Sequence, residues 1–179
     1  SLTGNAGSVS ETHESSGGGY SSSSDGEAQG YLGLDFRVGM YVAPGLSIEP
    51  EFYFLAIENN PPAFNLGANL AYTFTIPESR VKPFIIAGYG IGNGIPVMQR
   101  LLGRSSGKLD IPVLRVGTGL KIFISDQVAF KVEYRYERYT SERTDTYYYP
   151  PYPATHTYKT TSNYHNILFG FSVFLPAAE

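Results

Sequence analysis

From Phe130 to Glu137 the chain alternates between two chemistries without a break. Val128, Phe130, Val132, Tyr134 and Tyr136 fall on one parity; Lys131, Glu133, Arg135 and Glu137 fall on the other. Successive side chains of a strand point to opposite faces, so segment 127–139 separates an apolar environment from an ionic one. Any fold this chain adopts has to supply both.

The same period of two recurs along the sequence and predicts eight strands, over about 1–10, 28–42, 46–57, 63–76, 82–93, 111–124, 127–139 and 163–175. Tight turns join some of them: Ala43-Pro44-Gly45, residues 77–81 and Ser125-Asp126, all built from turn-forming residues. Between these fall longer connections at 11–27 (rich in Ser and Gly), 94–110 and 140–162 (rich in Tyr, Thr and Pro), with 58–62 as a shorter member. In an up-and-down antiparallel sheet every second connection emerges at the same end. Short turns at one end and long loops at the other is the arrangement of an outer-membrane barrel. The expected fold is all-β, an eight-stranded antiparallel up-and-down transmembrane β-barrel forming a single domain over 1–179.

Which face lies inside decides the compartment. One parity collects Leu34, Phe36, Ile48, Phe52, Leu66, Leu70, Val116, Leu120, Phe169 and Phe171. The other collects a few large charged residues among many glycines, at 33, 39, 67, 88, 90, 92, 117, 119 and 170. A soluble barrel of lipocalin type would turn the apolar face inward and need a densely charged exterior. Charged residues are only 16% of this chain, against about 25% in a typical soluble domain. Glycine on an exposed sheet face weakens it, whereas in a narrow eight-stranded lumen it makes room for bulky neighbours. The apolar face is therefore expected to meet lipid. Tyr134, Tyr136 and Tyr164 are expected in an aromatic band toward the loop end, and Tyr41, Phe74, Phe130 and Phe174 toward the turn end.

The segment Val113 to Tyr139 (a glycine-containing strand, a two-residue turn and an alternating Tyr/charged strand) and the closing strand Asn163 to Leu175 resemble the small bacterial outer-membrane β-barrel families, broadly OmpA/OmpX-like. The resemblance extends over essentially the whole chain and concerns architecture. It implies a bacterial outer-membrane location, with the loops extracellular and both termini periplasmic. One departure is that Phe174 is followed by Leu-Pro-Ala-Ala-Glu, whereas such barrels usually end on an aromatic residue. The chain begins at Ser1, as a processed or partial precursor would.

The predicted lumen holds Asp35, Glu49, Glu51, Glu133 and Glu137 against Arg37, Arg115, Lys121, Lys131 and Arg135. Unpaired buried charge is costly, while a hydrogen-bonded network of both signs persists in a confined interior. A structural ionic plug is the expected role, with a narrow ion or small-solute path as the alternative. Catalysis finds little support. Glu49 and Glu51 share a face but are opposed by bases. His13, His156 and His165 are scattered; His165 lies near Ser162, yet the His-x-Ser arrangement of lipid A-deacylating barrels is missing. No catalytic, cofactor or metal site is expected, and with no cysteine thiolate ligation is excluded. A net charge of −3 argues against nucleic acid. The remaining candidate is the long loop, where Tyr147, Tyr148, Tyr149, Tyr152 and Tyr158 form the candidate recognition surface; Tyr offers contact area and a polar handle at low entropic cost. The expected partners are outer-membrane lipid or lipopolysaccharide and an extracellular protein or surface ligand, bound by a monomer.

Overall fold

The computed structural model describes the backbone of residues 2–9, 15–17, 20–22, 29–56, 62–93, 111–149 and 152–174. It describes the side chains of 33–54, 56, 62–93, 111–141 and 161–174. Among the described residues there are eleven strands: β1 (Leu2–Val9), β2 (Ser15–Gly17), β3 (Tyr20–Ser22), β4 (Gln29–Arg37), β5 (Met40–Ala43), β6 (Leu46–Ala56), β7 (Ala63–Thr73), β8 (Val81–Gly92), β9 (Ile111–Phe123), β10 (Val128–Tyr149) and β11 (Tyr152–Val173).

Each long strand pairs antiparallel with its sequence neighbour from β6 to β11, then β11 pairs with β1, β1 with β4, and β4 with β6. The ring closes, so no edge is left to seek a partner in hydrocarbon. β4 and β5 act as one wall strand interrupted at Val38 and Gly39, where Val38 N–H still donates to Pro50 O at 3.2 Å. The barrel thus has eight walls.

Three connections at one end are tight. Gly45 sits at φ +77° between β5 and β6, and a Cβ there would stand 2.6 Å from Thr73 O, so the turn requires glycine for both reasons. Glu78 adopts φ 59° in the β7–β8 turn, and Ser125 and Val128 exchange backbone hydrogen bonds across the β9–β10 turn.

Two segments read as irregular are strand instead. Residues 140–149 and 152–162, expected to form a loop, continue the β10–β11 ladder from Thr140↔Thr161 to Tyr149↔Tyr152. Thr and Tyr favour strand wherever a partner is available, and each half supplies the other's. Within the 11–27 tract, β2 and β3 pair as a small hairpin. The 94–110 expectation lies outside the described residues.

The interior is charged and the exterior is apolar. Arg135 is 1% exposed, Arg37 2% and Glu133 0%, whereas Leu70, Ile85 and Phe171 are 51%, 51% and 52% exposed. Burying guanidinium while exposing aliphatic side chains reverses the logic of a water-soluble core; the outward surface belongs in hydrocarbon. Three rim assignments are corrected. Tyr41, which pairs with the inward Ser47, and Phe174, which shares parity with the buried Ser172, stack with centroids 6.5 Å apart and line the mouth of the lumen beside Glu49 and Lys121. Tyr164 is buried and meets Tyr139 edge to face, with centroids 5.4 Å apart. It shares parity with Asn166 and Leu168, so the pleat turns it inward.

Glycines make this interior possible. In the β7–β8–β9 wall, large inward side chains lie beside cross-strand glycines: Asn65↔Gly92, Asn69↔Gly88, Phe84↔Gly119, Ile86↔Gly117 and Arg115↔Gly88. A Cβ at Gly67 would stand 2.6 Å from Arg115 Nη1, and one at Gly119 2.7 Å from Phe84 Cε1. Gly39 is different, since the atoms nearest its Cβ position lie on the flexible Glu49 side chain at 3.4–3.7 Å.

Replacement of Gly119 by Val is expected to destabilise the barrel by about 1–3 kcal/mol through overpacking, while Gly39→Ala changes it little. Urea midpoints of the micelle-embedded protein, read from the heat-modifiable gel shift, check both. Val116→Arg, on the outward face of β9, is expected to cost about 2–4 kcal/mol in vesicle-inserted protein; an unchanged midpoint would contradict a lipid-facing position.

Candidate functional site: a charged lumen

Four strands supply the charges, each at a spacing of two or a multiple of two, as one face of a pleated strand requires. β4 carries Asp35 and Arg37; β6 carries Glu49 and Glu51; β9 carries Arg115 and Lys121; β10 carries Lys131, Glu133, Arg135 and Glu137. All ten side chains are buried.

Arg135 is the hub. Its guanidinium donates to Glu133 Oε1 at 2.7 Å, Asp35 Oδ2 at 2.9 Å and Glu51 Oε1 at 3.1 Å, and lies 3.6 Å from Glu137 Oε1. Charge-assisted bonds of this kind are the strong ones. One planar fork therefore ties β4, β6 and β10 together across the lumen. Arg37 forms a second centre, donating to Glu133 Oε2 at 2.8 Å and lying 2.9 Å from Asp35 Oδ2, 3.6 Å from Glu49 Oε2 and 3.7 Å from Glu51 Oε2. Lys131 meets Glu133 Oε2 at 2.7 Å.

Toward the loop end the network becomes mixed. Arg115 Nε donates to Glu137 Oε1 at 3.1 Å and lies 3.4 Å from Glu51. Neutral side chains add donors to Glu51 and Glu137. Asn69 donates to Glu51 at 2.7 Å, while Asn166 and the Tyr139 hydroxyl each donate to Glu137 at 3.2 Å. Asn65 donates in turn to Tyr139 at 2.9 Å. Toward the turn end Lys121 departs from the ion-pair pattern. Its ammonium donates to Thr73 Oγ1 at 3.0 Å and lies 5.1 Å from the Phe84 ring centroid, so a hydroxyl and an aromatic face do the work of a carboxylate. Here the lumen opens into a cleft of about 400 Å³ lined by Arg37, Tyr41, Ser47, Glu49, Lys121 and Phe174, among others.

Five acids and five bases thus converge, and the arrangement is chemically suited to holding the walls together. The inward apolar residues Phe84, Ile86, Val113 and Leu168 and the inward Tyr139–Tyr164 pair are additions that parity alone could have flagged. The histidine–serine comparison fails on geometry. Ser162 is buried in the lumen while His165 is exposed on the outer face, so the two point to opposite sides of the wall. Of the loop tyrosines, the backbones of Tyr147, Tyr148 and Tyr149 pair with Ala154, Pro153 and Tyr152, and that of Tyr158 with Arg143; their side chains, and His13, lie outside the described residues.

Comparison with known proteins agrees with this architecture. The family model for the outer membrane protein beta-barrel domain matches residues 2–173. The crystal structure of the outer membrane protein OprG from Pseudomonas aeruginosa is similar, with 14% identity, 96% of this chain and 93% of that chain covered, and a TM-score of 0.54. Neisserial surface protein A matches with 15% identity, 97% of each chain covered and a TM-score of 0.47. The outer membrane enzyme PagL matches with 14% identity, 92% and 99% covered and a TM-score of 0.40. At these identities the likeness to OprG is one of fold. No curated protein matches the sequence. With charges packed inside, hydrocarbon-compatible side chains outside and the family model spanning nearly the whole ring, the chain belongs to the outer membrane protein β-barrel domain family.

Proposed function

We propose that the protein is a plugged membrane anchor that presents a recognition surface on the β10–β11 ribbon outside the cell. The observation that carries this reading is the length of that ladder. β9 last pairs with β10 at Tyr139↔Val113, yet β10 and β11 continue together to Tyr149↔Tyr152. At about 3.3 Å per residue the ribbon continues roughly 30 Å along its strands beyond that last described pairing with β9. In this reading the ribbon end faces outward, the tight turns and both termini face the periplasm, and a monomer displays the tyrosines of 147–158 to an extracellular protein or surface ligand.

The lumen supports an anchor over a general pore. An eight-stranded barrel encloses little more than its own side chains, and here they are cross-bonded through Arg135 and Arg37. A narrow ion path is the second reading, favoured by the cleft at the turn end. Conduction through it requires the 3.6 Å contact between Arg37 and Glu49, among the longest in the network, to part. Neither reading involves catalysis.

Replacing 144–157 with a two-residue turn is expected to leave heat-modifiable mobility intact. It should abolish the adherence of a Gram-negative host expressing the protein to matrix-coated plates; adherence equal to the full ribbon would count against the display role. In planar bilayers the intact protein is expected to give no resolved steps, and steady, charge-selective steps would favour the channel. Arg135→Met is expected to cost about 3–5 kcal/mol, because Asp35, Glu51 and Glu133 lose a shared buried counter-charge; the urea midpoint in micelles measures it.

A further inference from the structure

The outward face of the barrel is apolar almost everywhere in its ribbon-end half: Phe52, Leu66, Tyr89, Ile91, Leu114 and Val116 are all exposed there. The β10–β11 wall breaks this pattern. Arg138 and His165 are both exposed on the outer face. They are diagonal neighbours, since Arg138 pairs with Asn163 and Tyr136 with His165, a placement that brings Cβ atoms within about 7–8 Å. Arg138 places a positive charge at the end of an apolar wall, and among the residues whose side chains are described no acid faces it on that surface.

The patch is also organised. Tyr134 OH and His165 Nδ1 are 2.6 Å apart, which leaves Nε2 as the ring's remaining polar atom. The Tyr136 ring lies 5.3 Å from the His165 ring, and its hydroxyl donates to Asn163 Oδ1 at 2.7 Å. That bond uses the Asn163 carbonyl and leaves its amide N–H groups to donate outward. On β11 the change from apolar to polar falls between Ile167 and His165, with Tyr134 and Tyr136 beside it. That is where aromatic residues mark the boundary between hydrocarbon and head groups.

We propose that Arg138, Asn163 and His165, framed by Tyr134 and Tyr136, bind the phosphate-bearing sugar head group of an outer-leaflet glycolipid of the lipid A type. A guanidinium fork fits a phosphate with two parallel bonds. The Asn163 amide and the histidine ring nitrogen face a head group rich in acceptor oxygens, and the lipid's acyl chains run down the apolar wall below. The choice of an outer-leaflet lipid rests on the orientation proposed above, with the ribbon outside.

The test is native mass spectrometry of the detergent-solubilised protein titrated with bisphosphorylated lipid A, dephosphorylated lipid A and phosphatidylglycerol. Bisphosphorylated lipid A is expected to be retained, with about 10-fold weaker retention for the dephosphorylated form and for Arg138→Ala, as loss of a charge-assisted bond implies. His165→Ala should weaken it by a smaller factor and Arg138→Lys by an intermediate one. The side chains face outward, so all variants should keep the heat-modifiable shift that reports a closed barrel. Equal retention by wild type and Arg138→Ala would overturn the site. Retention of phosphatidylglycerol as strong as that of bisphosphorylated lipid A, and equally dependent on Arg138, would overturn the assignment to glycolipid. Orientation is read separately, by protease cleavage in intact cells of a site inserted between Pro150 and Pro151. Cleavage with no lipid A retention sinks this inference alone, and protection sinks the orientation.

Discussion

Everything in this barrel depends on the pairing of charges in a space that excludes bulk water. Arg135 bonds carboxylates from three different strands, and Arg37 lies against the same three, Asp35, Glu51 and Glu133. Removing any one partner would leave its neighbours buried and uncompensated, which costs more than the pair contributes when intact. The charges therefore have to be kept or lost as a set. The walls are joined by backbone ladders, and the lumen is joined by this network. Together they leave an exterior free to be largely apolar.

The network in turn depends on the absence of side chains. Arg115 lies over the paired glycines Gly67 and Gly90, and Phe84 lies over Gly119. A barrel of eight strands is too narrow for two large residues side by side at every level. Alternating a bulky side chain with a cross-strand glycine keeps the packing dense without strain. The glycines that would weaken an ordinary exposed sheet are here the condition for burying arginine. The same economy of space accounts for Lys121, which rests on aromatic rings and a threonine hydroxyl where the carboxylates have thinned out.

Much of this was legible in the residue order. Parity alone assigned all ten lumen charges, because the alternation of a pleated strand is local and survives any tertiary arrangement. It also assigned most of the lipid face. Where the reading went astray, a second local signal had overridden it. Tyr164 reads as a rim aromatic by composition, yet its parity with Asn166 turns it inward. Residues 140–162 read as a loop because Pro, Thr and Tyr cluster there, but two halves of matched length form a ladder once each has the other to bond. The interruption at Val38 and Gly39 had no signal strong enough to separate it from a continuous strand.

The sequence by itself determined which side chains face lipid and which face the lumen, and with that the compartment, since a period of two needs no partner to express itself. Only the tertiary structure decided who meets whom. Arg135 bonds Asp35 across 100 residues of sequence, and Arg37 bonds Glu133 across 96. Those contacts follow from the stagger with which eight strands close into a ring, a property of the whole sheet that no single strand carries.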